Sequence, residues 1–367
     1  MEITMTDRRL LEIFFELIKI DATSGKEKPV ADYIIAFLNN LGLNATVENI
    51  DPDSTGQSGN VICSVGNGGS FVLLSHMDTA RSTSEVKPTI TDDRILSDGK
   101  TVLGVDNRAG ISSILCAVEK AIKQKTMLND FTIAFTTQEE TTMYGSRNLK
   151  LSDKIKMGFV FDSHERPGNF VNGSIGAVGF TARIIGKASH SGLAPEKGID
   201  SIKIASGAIA EIKLGRIDDE TTANIGIIKG GSAVNVVPEE TFIEGEVRSM
   251  KTEKVIELAE QIKKIFEKHT SNAGGKLEFN YQWDFKPYKV TPEDEVFKKI
   301  SSVISKVGLI PTPKISRGGS DANSLNEKGI KTVNLGIGAE NPHSNEEYIL
   351  LEDLQKSSEI AYELIKK

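Results

Sequence analysis

Cysteine is nearly missing from this 367-residue chain: Cys63 and Cys116 are its two, both inside apolar segments and neither spaced like a metal knuckle or a redox pair. That excludes a disulfide scaffold and a cysteine-built metal site, and it reads both as buried free thiols of a reducing compartment. Runs of one charge are absent too. Net charge is −7 at pH 7 with no basic tract, which argues against nucleic-acid partners and anionic membrane surfaces. No apolar stretch is long enough to span a bilayer. The opening MEITMTDRRLLEIFFELIKI is amphipathic, with Glu12 and Glu16 interrupting its apolar residues, so it reads as neither a signal peptide nor a spanning helix. There is no internal repeat and no low-complexity tract. GNGGS at 66–70 is glycine-rich, but it lacks the GxGxxG spacing and precedes a strand pattern, so a dinucleotide site is rejected. Histidine is scarce, five in all, so where each one falls carries information. A cytoplasmic location is the expectation.

What is present can fold. Hydrophobic residues make up 38% and charged residues 26%, a balance that buries a core, and the length asks for more than one domain. Residues 7–19 and 29–41 carry apolar positions at helical spacing, with Pro29 suited to a first turn and Gly42 to a helix end. Short apolar or β-branched runs follow at Ala45–Ile50, Val61–Val65 and Phe71–Ser75. Leu103–Gly110 then leads into a helix reaching about Lys125, and further strands read at Phe131–Thr136 and Met157–Phe161. Buried strands between helices indicate an α/β layer with a mostly parallel sheet. Near Asn172 the pattern changes. Strands at Gly176–Ile185, Ala223–Lys229, Thr241–Arg248 and Leu277–Trp283, with helices at Asp200–Ile212 and Glu253–His269, give the order β-α-β-β-α-β of a ferredoxin-like α+β unit. After Lys286 the alternation of helices and buried strands resumes, with a helix at Glu293–Val307, a strand at Thr332–Gly336 and a terminal helix at Leu351–Ile365. The expected organisation is one discontinuous domain, 1–172 with 287–367, and an inserted domain, 173–286.

Several chemically capable side chains follow the expected strands. In FVLLSHMDT (71–79), His76 and Asp78 are two apart, so in extended chain they point the same way. A metal-bound imidazole needs a carboxylate that close to fix its orientation. Asp106 in DGKTVLGVDNRAG (98–110) stands at a glycine-bordered turn before a helix, where a plain N-cap is the alternative. Glu139 and Glu140 follow Phe131–Thr136. Two adjacent carboxylates there repel unless a cation or a raised pKa relieves them, although a solvated pair is the commoner explanation. Asp162 follows Met157–Phe161, and His343 follows Thr332–Gly336 through a short loop. Each has a bland explanation taken alone. Together they put imidazoles and carboxylates just beyond strand ends that a parallel sheet gathers at one edge, where ligands bind. Mixed imidazole and carboxylate donors suit zinc, with manganese or cobalt as alternatives, and one carboxylate bridging two ions ~3.5–4 Å apart is the usual two-metal hydrolase plan.

Through HMDT, DGKTVLGVDNRAG, FTTQEE, ASHSG, RGGSDAN and NPHSNEEY, in order along essentially the whole chain, the sequence resembles the co-catalytic zinc exopeptidases. This family holds peptidase T, bacterial glutamate carboxypeptidase and succinyl-diaminopimelate desuccinylase, and the peptidase T-like branch is the best match. The resemblance implies a zinc-exopeptidase-like α/β catalytic domain, an inserted ferredoxin-like domain serving as lid and dimer interface, and two divalent ions. By position, Asp106 matches the bridging carboxylate, His76 and Asp162 complete one metal site, and Glu140 with His343 completes the other. Glu139 matches the general base, Asp78 the carboxylate that holds His76, and His190 of GKASHSG a donor to the developing oxyanion, in its own site or a partner's. Arg248, Arg317 and Asn224 resemble substrate-binding positions, a planar guanidinium being suited to a carboxylate. A cis peptide is implied at Asp106–Asn107. His164 and His269 are read as structural. The chain departs from the family pattern at Thr141–Thr142, at Ser163–His164 and in a segment shortened after Thr79. The implied activity is a peptidase T-like aminopeptidase acting on short peptides, tripeptides among them, as a homodimer. A carboxypeptidase, a dipeptidase or an N-acyl-amino-acid deacylase is the alternative within the family, and a non-catalytic metal-binding protein the alternative outside it.

Overall fold

The computed structural model describes residues 5–48 and 56–367, and the chain divides into two compact units. The first comprises residues up to Gly173 with Lys289–Ser316 and Ser320–Lys367; the second comprises Ser174–Tyr288 with Arg317–Gly319.

A mixed sheet forms the middle of the first unit. Seven of its nine strands among the described residues run in the order Ala45–Val47, Val61–Val65, Phe131–Thr136, Phe71–His76, Met157–Ser163, Lys331–Gly336 and Asn169–Ser174. The four from Phe131–Thr136 to Lys331–Gly336 are parallel to one another, and the strands on either side of them pair antiparallel. Phe71–His76 and Phe131–Thr136 are buried along their whole length, as strands covered on both faces must be. Successive side chains alternate between the faces. Phe159 turns its ring edge to Phe71, whose own face carries Lys299 of the helix Glu295–Lys306. Gly158, one residue before Phe159, lies against Leu325 of the helix Asp321–Glu327. The helix Val105–Lys123 packs on Phe71–His76 and is covered in turn by Met5–Ile18 and Leu351–Ile365.

Local signals account for the element ends. Pro29 occupies the first turn of the helix Lys28–Asn40, and Gly42 takes φ +80° just past its end, the conformation that closes a helix at least cost to glycine. Some expectations need correction. The strand expected over Ala45–Ile50 ends at Val47, while Asn49 and Ile50 lie outside the described residues. The strand expected to end at Phe161 continues to Ser163. A small sheet of Tyr348–Leu350, Arg94–Leu96 and Thr89–Thr91 has no counterpart in the sequence reading, because each strand is only 3 residues long, too short for a period of two to stand out.

The second unit is an antiparallel sheet in the order Gly215–Arg216, Thr221–Gly230, Glu240–Ser249, Gly176–Ile185, Lys276–Phe285. The helices Ser201–Glu211 and Thr252–Asn272 bury Ala205, Ala208, Ala259 and Phe266 in one core with Val178, Phe180, Ala182 and Ile184 of the strand Gly176–Ile185. This is the ferredoxin-like arrangement. Cys63 and Cys116 are both free and buried. Among the described residues no helix is long and apolar enough to cross a membrane.

Candidate metal centre

The four parallel strands end at one edge of the sheet, and the donors collect there. His76 is the last residue of its strand. Asp162 is an extra residue: Phe161 pairs with Leu335 and Ser163 with Gly336, so Asp162 between them has no partner in the ladder. A bulge of this kind re-aims a side chain. Asp106 falls in the helix Val105–Lys123 but breaks it, with φ −82° and ψ 103°. The peptide from Asp106 to Asn107 is cis. Glu139 and Glu140 open a single helical turn, Glu139–Thr142, behind Gln138 at φ 52°. His343 lies in the loop after Lys331–Gly336, also with positive φ.

Asp106 stands between the two imidazoles. Its Oδ1 is 3.0 Å from His76 Nε2 and its Oδ2 is 3.3 Å from His343 Nε2. Asp162 Oδ1 lies 3.1 Å from His76 Nε2, and Glu140 Oε1 lies 3.1 Å from His343 Nε2. Two donor groups result, His76–Asp106–Asp162 and Asp106–Glu140–His343, with Asp106 common to both. His76 Nδ1 donates to the Asp78 carbonyl at 3.0 Å. In the neutral ring this leaves the Nε2 lone pair directed at Asp106 and Asp162, the tautomer a metal ligand requires.

The electrostatics ask for positive charge. Burial opposes protonation of His76, yet Asp106, Asp162 and Asp78 hold its imidazole well above the usual histidine range. The close carboxylates of Asp106 and Glu140 push His343 up to about 10. Burial is the largest influence on Asp106, but the two imidazoles overrule it and hold the carboxylate below its ordinary range. Glu139 is raised well above a normal glutamate, first by burial and then by the charge of Asp162. Glu140 is raised mainly by burial, and its Oε1 is buried without a hydrogen bond of good geometry. A pair of divalent cations would meet the same demand, and the donor set fits them.

The turn that carries the glutamates is held through its main chain. Four successive N–H groups donate to side chains from elsewhere: Thr137 to Asn60 Oδ1 at 3.3 Å, Gln138 to Glu27 Oε1 at 3.0 Å, Glu139 to Asp78 Oδ1 at 3.0 Å, and Glu140 to Asp78 Oδ2 at 3.2 Å. The Asp78 carboxylate also accepts from Ser24 Oγ at 2.7 Å and is 3.4 Å from His76 Nδ1. Its shortest contacts therefore go to Ser24 and the glutamate backbone, while the imidazole rests mainly on the Asp78 carbonyl. Asp162 is oriented by Asn107 Nδ2 at 3.0 Å and Asn334 Nδ2 at 3.2 Å.

The sequence reading assigns no site role to Glu27, Asn60, Asn107, Asp321, Asn334 or Glu347. Asn107, Asp321 and Glu347 do lie inside the quoted motifs DGKTVLGVDNRAG, RGGSDAN and NPHSNEEY, where a polar residue that folding buries is the available signal. Asp321 accepts from Thr136 Oγ1 at 2.5 Å, and burial pushes its carboxyl up to about 6. Glu347 is pushed up to about 7 by burial, opposed by the N–H groups of Asp106 and Gly104.

His190, Asn224, Arg248 and Arg317 belong to the second unit. His190 is exposed, with Nδ1 accepting from the N–H groups of Gly192 and Leu193 at 3.2 and 3.3 Å. Asn224 lines an open trough of about 710 Å³ with Gly179, Gly245 and Glu246. Arg248 makes a fork to Glu246 at 2.9 and 2.8 Å and lies over the ring of Phe285. His269 pairs with Glu211 at 2.8 Å.

Comparison with known proteins points one way. Residues 172–274 match a family model described as the M20 peptidase dimerisation domain. The chain is 34% identical over 99% of both sequences to the uncharacterized protein YqjE of Bacillus subtilis. The structure of aminopeptidase PepT from Bacillus cereus superposes with a TM-score of 0.89 at 32% identity, covering 98% of each chain. That of a tripeptidase from Staphylococcus aureus superposes with a TM-score of 0.92 at 31% identity, again over 98% of each.

Proposed function

The chain belongs to the M20 family of metallopeptidases, in its peptidase T-like branch, and we propose that it removes the N-terminal residue from short peptides, tripeptides foremost. The observation that carries the reading is Asp106 offering one oxygen to each imidazole, with the buried Glu139 in electrostatic reach of Asp162 and His76. The aminopeptidase and tripeptidase at 31–32% identity support the substrate class.

In this reading His76 and Asp162 would hold one divalent cation and Glu140 and His343 the other, with Asp106 common to both donor groups. Zinc is the proposed metal, with manganese or cobalt as alternatives. When bound, such ions bring the pKa of a water down to about 7 and polarise a carbonyl. The remaining steps belong to the chain. Glu139 is no member of either donor group, which leaves its carboxylate free to take the proton of the attacking water and return it to the leaving amine. Asp78 fixes where that carboxylate stands by gripping the Glu139 and Glu140 backbone. Asn107 and Asn334 keep Asp162 turned to its imidazole partner.

The test is turnover of free and N-blocked di- and tripeptides by the protein stripped of metal and then reloaded. Activity on free tripeptides that returns with metal is expected. Turnover of blocked peptides with none of free ones would overturn the aminopeptidase reading and put a deacylase or carboxypeptidase in its place. We also propose a homodimer built through the inserted domain, on the strength of the dimerisation-domain match; a monomeric mass by light scattering would reject it.

A further inference from the structure

His343 is the loosest of the donors. Its side chain is 49% exposed, whereas that of His76 is 1% exposed, so its position depends on the loop beneath it. That loop closes on itself where Glu340 and Tyr348 exchange N–H···O bonds of 3.0 and 3.1 Å. Its one buried carboxylate among the described residues is Glu347, four residues after His343 and 1% exposed. Both Glu347 oxygens are committed to another segment: Oε2 accepts from Gly104 N at 2.7 Å and Oε1 from Asp106 N at 3.1 Å. These are main-chain groups of the turn that carries the shared aspartate. One side chain thus ties the backbone of Asp106 to the loop of His343. Asn345 adds a weaker tie, donating to the carbonyls of Gly99 and Lys100 at 3.1 and 3.2 Å.

We propose that Glu347 is a positioning residue which clasps the His343 loop to the Asp106 turn and thereby sets the affinity for the second of the two cations, the one held by Asp106, Glu140 and His343. The inference rests on the two-cation reading above. The first cation should be largely indifferent, because His76 and Asp162 sit on strands and Asp162 has its own orienting donors in Asn107 and Asn334. Glutamine cannot replace the clasp. Both carboxylate oxygens face N–H donors, and the amide of Gln would set an NH2 against one of them.

The experiment is titration of metal-stripped full-length protein with Co2+, following visible absorption and heat, for wild type, Glu347→Gln and Glu347→Asp. In E347Q the first equivalent binds as in wild type and the second about 10- to 100-fold more weakly, the range seen when a partner that orients a metal ligand is removed. E347D, which keeps both acceptors on a shorter arm, falls between. A second step unchanged in E347Q, or both steps weakened alike as a general loss of structure would do, overturns the proposal. Should E347Q fail to fold, E347D decides on the same criterion: a weakened second step beside an intact first supports the clasp, and an unchanged second step overturns it. Wild-type protein that takes up fewer than two equivalents overturns the two-cation reading and the clasp with it.

Discussion

Replacing Gly110 by Ala sets two effects of opposite sign against each other. Gly110 is a buried position of the helix Val105–Lys123, and in an exposed helix interior Ala would be the better residue by about 0.8–1.0 kcal/mol. A methyl group at this position, however, would overlap the Phe161 carbonyl oxygen and the Asn107 side-chain oxygen, and it would stand 2.6 Å from Ser75 Oγ. The first obstacle is main chain and cannot rotate away. Overpacking costs about 1–3 kcal/mol in general, and a backbone collision places this site at the upper end. The steric term wins, leaving a net loss of about 2 kcal/mol. At roughly 2–4 °C per kcal/mol, the melting temperature should fall by about 4–8 °C. A second consequence is local. Asn107 accepts from Gly110 N at 3.2 Å and donates to Asp162 at 3.0 Å, so moving it disturbs the donor group of His76. Affinity for the first cation should drop at least about 10-fold. Thermal unfolding of the stripped protein and a Co2+ titration measure the two effects. A G110A protein that melts at or above wild type, with its first binding step intact, would refute the steric account.

Three further outcomes are expected. Glu139→Gln keeps the shape of the side chain but removes its proton acceptor, so turnover should fall about 10²- to 10⁴-fold while metal content by elemental analysis stays the same; retained activity would remove Glu139 from the base role. Asp106→Ala should lose both cations, since Asp106 is common to both donor groups, whereas His343→Ala should keep close to one after dialysis, and equal losses in the two variants would contradict a shared carboxylate. A pH effect is expected away from the candidate metal centre, at Glu119. Burial alone would raise its pKa, but bonds from Arg9 at 2.9 Å and Lys123 at 2.8 Å hold it below the ordinary range. A group depressed in the folded state stabilises above its unfolded value, ~4.3 for glutamate, and that contribution fades as pH falls through the folded value. The gap in urea midpoint between wild type and Glu119→Gln should therefore be steady near neutrality and narrow below pH ~4; a gap unchanged in acid would show the ion pair contributes nothing.

The readable part of the fold is the part whose burial leaves a pattern. Phe71–Leu74 and Phe131–Phe135 are buried on both faces, so they stand in the sequence as compact, largely apolar runs between polar turns. The alternation of Gly176–Ile185 is just as plain, because its even-numbered residues from Val178 to Ile184 line a core and the odd ones from Gly179 to Ile185 do not. Three-residue pairings such as Thr89–Thr91 with Arg94–Leu96 leave no such trace. The bulge at Asp162 is invisible for a related reason, since it arises from the register between Met157–Ser163 and Lys331–Gly336, segments distant along the chain.

The sequence by itself determined the kind of chemistry available. Four of its apolar runs, Phe71–Ser75, Phe131–Thr136, Met157–Phe161 and Thr332–Gly336, are followed by histidine or carboxylate, which puts hard and borderline metal donors beyond strand ends with no cysteine among them. The tertiary structure alone decided how those donors meet: that Asp106 turns one oxygen to His76 and the other to His343, that Asp78 spends its carboxylate largely on the backbone of Glu139 and Glu140, and that Glu347 reaches back to Gly104 and Asp106. Periodicity records which face of a strand or helix is apolar. A contact of about 3 Å between residues far apart in the chain depends on the register of several elements at once, and no local pattern encodes that.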